Sequence, residues 1–168
     1  NDRPYAELTE DRQARMTESW NTRLIRWRLN FFPAYRGSGA RIDYIAADWR
    51  EVRIRLPLTW RTRNYVGTIF GGSMFSAVDP IHMVMLMRIL GDGFLVWDQV
   101  STMRFLRPGR TTLFATIAID EATTEGIKAD VARLRKVNRD FEVQLEDRDG
   151  LVHAACTKTL YIRRKKDS

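Results

Sequence analysis

Cysteine is almost missing from this chain. One residue, Cys156, stands among 168, so no internal disulfide can form and a reducing, cytoplasmic setting is expected. Histidine is scarce as well, with only His82 and His153, and no Cys/His spacing suits zinc. Nucleophile elbow, P-loop and G-x-G-x-x-G fingerprint are all missing, so no metal and no cofactor is expected. No unbroken apolar run reaches the roughly 18 residues of a membrane span. The most apolar stretch, 69–87, is interrupted by Asp79, Pro80 and His82. Asn1 is not followed by a charged-then-apolar leader, so no signal peptide is expected. Internal repeats and low-complexity segments are lacking too.

Charge, by contrast, is plentiful and uneven. The net value is +7, part of it in the tail "RRKKDS" and the rest in arginine groups at 23, 26 and 28, at 50, 53 and 55, and at 104, 107 and 110. A basic surface attracts polyanions, or it is simply a solvated face. Helix-turn-helix and RNA-binding aromatic motifs are not found, so nucleic acid is not an expected partner.

Period separates the elements. Met16, Trp20, Leu24, Trp27 and Phe31 recur at helical spacing, which predicts an amphipathic helix over 9–32 with Thr9 as its N-cap and Pro33 as its end. The "RGSG" at 36–39 predicts a loop. Strands are predicted at "ARIDYIA" and "REVRIRL", where Val52, Ile54 and Leu56 alternate with charged residues. A mostly apolar helix follows over 71–90 and stops at Gly91-Asp92-Gly93. Further strands are predicted over 94–106, 112–119, 139–147 and 151–162, with a short helix at 123–136. Tight turns between successive strands imply an antiparallel sheet, and an apolar helix needs a curved sheet to cover it.

Within this frame "NYVGTIFGGSMFSAVDP", residues 64–80, concentrates the candidate chemistry. Gly71 and Gly72 sit where loop passes into helix. They could offer backbone N–H groups as an oxyanion hole, or they could serve a tight turn and close packing. Asp79 lies seven residues on, about 10 Å along a helix axis. A carboxylate in this apolar segment could be a general base or a nucleophile, or it could bind backbone groups freed by a bend at Pro80. Proline should also push Asp79 away from helical angles. His82, one turn further, could orient or protonate Asp79 or be a satisfied core residue. Cys156 is read as a small core residue, and His153 is given no role.

The pattern Asn64, Gly67, Phe70-Gly71-Gly72 and Asp79 resembles the hotdog-fold acyl-CoA thioesterases, nearest to a phenylacetyl-CoA thioesterase-like group and an uncharacterised branch of it. "VSTMRFLRPGRTTLFATIAI", 100–119, is similar to that family's strand–turn–strand. The resemblance implies an α+β hotdog fold: a curved antiparallel sheet wrapped around a long central helix. It would occupy 40–163, after an N-terminal helical extension over 1–39 and before a basic tail at 164–168. It further implies hydrolysis of acyl-CoA or acyl-carrier-protein thioesters. Asp79 would be the base or nucleophile, Gly71 the oxyanion donor, and Asn64 would position water or the carboxylate. Gly72, Phe70, His82 and Arg107 would contact substrate; by charge alone, Arg104, Arg107 and Arg110 could meet coenzyme A phosphates. A homodimer or dimer of dimers is implied. Phe70 replaces the family's histidine, which leaves a non-catalytic acyl- or lipid-binding protein as the alternative.

Overall fold

Six strands pair antiparallel, and their order in space departs from their order in the chain. The computed structural model describes residues 17–165. Helices α1 (Trp20–Phe31) and α2 (Pro33–Ser38) precede β1 (Arg41–Ile45) and β2 (Glu51–Leu56). The central pair α3 (Gly71–Val78) and α4 (Ile81–Leu90) leads to β3 (Phe94–Phe105) and β4 (Leu113–Ala118). Helix α5 (Glu121–Leu134), β5 (Lys136–Glu146) and β6 (Val152–Arg164) complete the chain. The sheet order is β1-β2-β4-β5-β6-β3, which leaves β1 and β3 as edges. This is the α+β hotdog arrangement, with an added N-terminal helix.

Alternation explains the sheet. On β2, Val52, Ile54 and Leu56 turn inward while Arg53 and Arg55 stay outside. On β4, Leu113, Ala115 and Ile117 do the same. These side chains meet Ala77, Val78, Ile81, Met85 and Leu86 of the central helix in one core. The stretch Gly71–Leu90, 20 residues at a mean hydropathy of 1.3, is long and apolar enough to cross a membrane by length and composition. Its burial against the sheet accounts for that composition.

The N-terminal helix differs from expectation in two ways. Its described part starts at Trp20 with Ser19 as N-cap: Ser19 Oγ accepts from Thr22 N at 3.1 Å, and Thr22 Oγ1 accepts from Ser19 N at 2.9 Å. Thr9 and Met16 lie outside the described residues. The stripe of Trp20, Leu24, Trp27 and Phe31 points to solvent, and the inward face is Thr22, Ile25 and Leu29. The predicted loop at 36–39 is largely helical, because Pro33 begins α2 instead of only ending α1. Gly39 then closes α2 at φ +82°, with Thr62 packed where a side chain would go.

Pro80 splits the central helix by its missing N–H, not by its neighbour's angles. Asp79 keeps φ −54°, ψ −52°, so the predicted departure from helical geometry does not occur. At the break the Tyr35 hydroxyl donates to the Ala77 carbonyl at 3.1 Å, and Lys158 Nζ donates to the Asp79 carbonyl.

Candidate active site

The loop before α3 is closed by its own asparagine. Asn64 Oδ1 accepts from Val66 N at 3.1 Å and Thr68 N at 2.9 Å, while its Nδ2 donates to Thr68 Oγ1 at 2.8 Å. Gly67 at φ +82° permits that turn. Ile69 N donates to Gly109 O at 2.8 Å and Phe70 N to Thr62 O at 2.7 Å, so the start of α3 is pinned on two sides. Phe70 brings no capping acceptor, and the amides of Gly71 and Gly72 open the helix. Both glycines are also crowded by phenylalanine rings. A Cβ on Gly71 would lie 2.9 Å from the Phe105 ring, and one on Gly72 would overlap the Phe70 ring. Asn64, Gly71, Phe105, Arg107 and Arg110 line a cleft of about 490 Å³. Arg107 donates from Nη1 to the Val152 carbonyl at 2.7 Å, which holds its exposed side chain at that rim.

Asp79 lies elsewhere. It stands eight residues after Gly71, about 12 Å along the axis, and lines a different, largely apolar pocket of about 390 Å³. That pocket is walled by Leu29, Phe32 and Tyr35 from the N-terminal helices and by Pro80, Met83 and Val84 from the central one. A single chain therefore does not bring the Gly71 amide together with the Asp79 carboxylate.

What does meet Asp79 is a lysine. Lys158 on β6 is fully buried, and its Nζ lies 3.2 Å from Asp79 Oδ1 and 2.9 Å from Asp98 Oδ1 on β3. The Asp79 side chain keeps 41% of its surface and that of Asp98 keeps 21%. One ammonium buried between two carboxylates satisfies charges that would each be costly alone. Burial raises the Asp98 carboxyl above its ordinary value, against the lowering pull of Lys158. His82 is buried nearby, against Phe141 at 5.1 Å between ring centroids. Burial first, and the Lys158 charge second, lower its pKa to about 4, and its Nδ1 has no hydrogen-bond partner among the described residues. A neutral imidazole at ordinary pH is the result, and the hydrogen bond to Asp79 comes from Lys158.

Two polar positions were thus missed in the sequence. Ala154, Cys156, Lys158, Leu160 and Ile162 share the inward face of β6, so the lysine stands in the phase reserved for apolar residues. Asp98 sits on β3 in phase with the buried Val96. Cys156 is a buried thiol whose pKa burial raises, as a core role requires. His153 joins the turn at Pro108 to Asp147, each at 3.1 Å. Among the described residues no three His, Cys, Asp or Glu side chains gather to hold a metal ion.

The family model for a domain of unknown function, DUF4442, matches residues 21–162. The chain belongs to that family. Solved structures share the fold across nearly its full length. A protein of unknown function from Pseudomonas aeruginosa, described as a probable thioesterase, is 22% identical, with 90% of this chain and 99% of that one covered at a TM-score of 0.76. A protein of unknown function from Chlorobaculum tepidum is 14% identical over 90% and 99%, at a TM-score of 0.70. A thioesterase from Haemophilus influenzae is 15% identical over 89% and 94%, at a TM-score of 0.63. No curated protein matches. The DUF4442 domain therefore shares the hotdog framework of these proteins. On that framework this chain carries an apolar pocket with a carboxylate in the wall, a buried lysine that fixes that carboxylate, and a separate cleft at a helix start.

Proposed function

We propose that this protein hydrolyses acyl thioesters, of coenzyme A or an acyl-carrier protein, at a site shared by two copies of the chain. The carrying observation is Asp79: a carboxylate at the wall of an apolar pocket of about 390 Å³, clamped by the buried Lys158. A pocket of this size and lining suits an acyl chain. Asp79 takes a proton from water as the hydroxyl bonds to the carbonyl carbon. The C–S bond then breaks, and the thiolate leaves and is protonated to the free thiol. Lys158 holds the carboxylate in place.

The distance between Asp79 and Gly71 motivates the second copy. An oxyanion donor acts at about 3 Å from the reacting oxygen, which Gly71 does not reach from its own Asp79. The long edge strand β3 exposes Trp97, Val100 and Phe105, with Leu106 just beyond it. An apolar unpaired edge is a pairing surface. Edge pairing of β3 with the same strand of another copy would form a homodimer and set the Gly71 cleft of one copy against the neighbouring copy. Arg107 and Arg110 at that cleft suit the phosphates of the carrier.

The test is release of free thiol from a panel of acyl-CoA and acyl-carrier-protein thioesters. Asp79→Asn should lower kcat by about a hundredfold or more. An Asp79→Asn protein as active as the parent overturns the assignment. The ring of Phe70, half-exposed over Gly72, favours a second reading. It offers no polar group to a thioester, and acyl-chain binding without any thiol release would establish a carrier or binding role.

A further inference from the structure

Helix α1 carries two apolar faces, and only one is used. Ile25 and Leu29, with Thr22, pack inward. Trp20, Leu24, Trp27 and Phe31 form a second stripe on the opposite side, continued by Phe32, and each is between 51% and 84% exposed. Ordinary surfaces scatter such residues singly, and a contiguous row of this kind marks a contact surface. The row is tied together by Trp27 against Phe31 at 4.6 Å between ring centroids. Arg23 stands 5.5 Å from the Trp20 ring and Arg36 5.7 Å from the Phe31 ring. Arg28 flanks the stripe on its other side. From Ser19 to Ile42 the chain has arginines at 23, 26, 28, 36 and 41 and no aspartate or glutamate; Glu18, just before, pairs with Arg26 at 2.6 Å and leaves the others.

We propose that this face docks on an anionic lipid surface. Tryptophan and phenylalanine set at one level and rimmed by arginine match the boundary between acyl chains and head groups, where such helices lie in the plane of the membrane. The charge chooses among occupants. A second copy meeting this face about a twofold axis would bring Arg23, Arg28 and Arg36 against their counterparts with no acid on the face to answer them. An anionic bilayer answers these three. Phe32 belongs both to the stripe and to the wall of the pocket that holds Asp79, so the docked face would bring that pocket to the lipid surface.

The experiment is flotation of the full chain with vesicles of phosphatidylcholine alone and of phosphatidylcholine mixed with phosphatidylglycerol, together with quenching of tryptophan emission by brominated lipid. Binding to the anionic vesicles only, weakened by salt, is expected. Trp20→Ser with Trp27→Ser should abolish it. Arg23→Gln and Arg28→Gln should each weaken it about fivefold. These side chains are exposed, so unchanged thermal melts should confirm intact folding, and the quenching of the unmodified chain needs no variant at all. Four outcomes overturn the proposal: no partition to either vesicle, equal partition of the double tryptophan variant, a concentration-dependent oligomer lost on those same substitutions, or lipid binding seen only after residues 1–16 are removed. Retention on single-stranded RNA in place of lipid would overturn it as well.

Discussion

Replacing Lys158 with methionine removes the ammonium and keeps most of the side-chain volume, which isolates the charge. The lysine is fully buried, and it answers Asp79 Oδ1, Asp98 Oδ1 and the Asp79 carbonyl together. Removing one partner of a buried ion pair costs about 3–5 kcal/mol. Here the two carboxylates keep 41% and 21% of their side-chain surface, so water can take up part of the loss. A deficit near the lower end, about 3 kcal/mol at neutral pH, is expected. In a chain of this length each kcal/mol moves the melting point by about 2–4 °C, so Lys158→Met should melt roughly 6–12 °C lower. The pH dependence makes the argument specific. Asp98 is already raised by burial, and losing the ammonium raises it further. A carboxyl whose folded pKa exceeds its unfolded value favours folding when protonated, and that stability is lost as pH rises through the folded pKa. The gap between parent and variant should therefore narrow from pH 7 to pH 5. Adding Asp98→Asn to Lys158→Met should recover part of the loss at pH 7, because the stranded charge is gone. Thermal melts at the two pH values decide the matter. A drop under about 2 °C at pH 7, or a gap that widens in acid, would refute the reasoning.

Other residues give narrower tests. His82 has a folded pKa of about 4 against an ordinary 6.5, so it withholds a proton that the unfolded chain takes up. Its contribution is intact above pH 6.5 and falls away as pH drops toward 4, by up to about 3 kcal/mol; urea unfolding across that range should show the slope, flattened in His82→Phe. Tyr35→Phe strands the Ala77 carbonyl at the helix break and should cost about 1–2 kcal/mol in the same assay. Gly39→Ala forces a side chain into a left-handed residue facing Thr62 and should cost about 1–3 kcal/mol, read as a lower melting point. Gly72→Ala should displace the Phe70 ring, and thiol release should fall with little change in melting point if the helix start serves the thioester.

Much of the architecture was legible because period is a direct image of burial. The alternation in β2 and β4 and the all-round apolar helix each translate into one contact surface. Where the translation failed, a rule about typical residues met an unusual use. The stripe in α1 marks an amphipathic helix, yet it is Ile25 and Leu29 on the other side that face the core. Pro33 was read only as a terminator, although its fixed φ also suits a helix start. Strand β5 begins at Lys136, earlier than the alternation around Phe141 implied, because Arg135 at φ 67° turns the chain out of α5 within one residue. At the candidate site the spacing of Gly71 and Asp79, and with it their separation along a helix, is legible in the sequence; that they open on two different cavities is not. Lys158 and Asp98 were hidden because lysine and aspartate are read as surface residues. Their position in the inward phase of β6 and β3 was the available signal.

The buried lysine also fixes how β6 can sit between its neighbours. Strand β6 pairs with β5 on one side and β3 on the other, over nearly its whole length. Backbone ladders and alternating apolar side chains alone would tolerate a slide of two residues, since inward positions would remain inward. A slide of that kind would carry the ammonium to the place of Cys156, away from both carboxylates, or to that of Leu160, opposite Asp98 but about 7 Å from its station beside Asp79. Lys158 therefore acts as a registration pin for the sheet, and a single costly charge makes the alternative alignments costlier still.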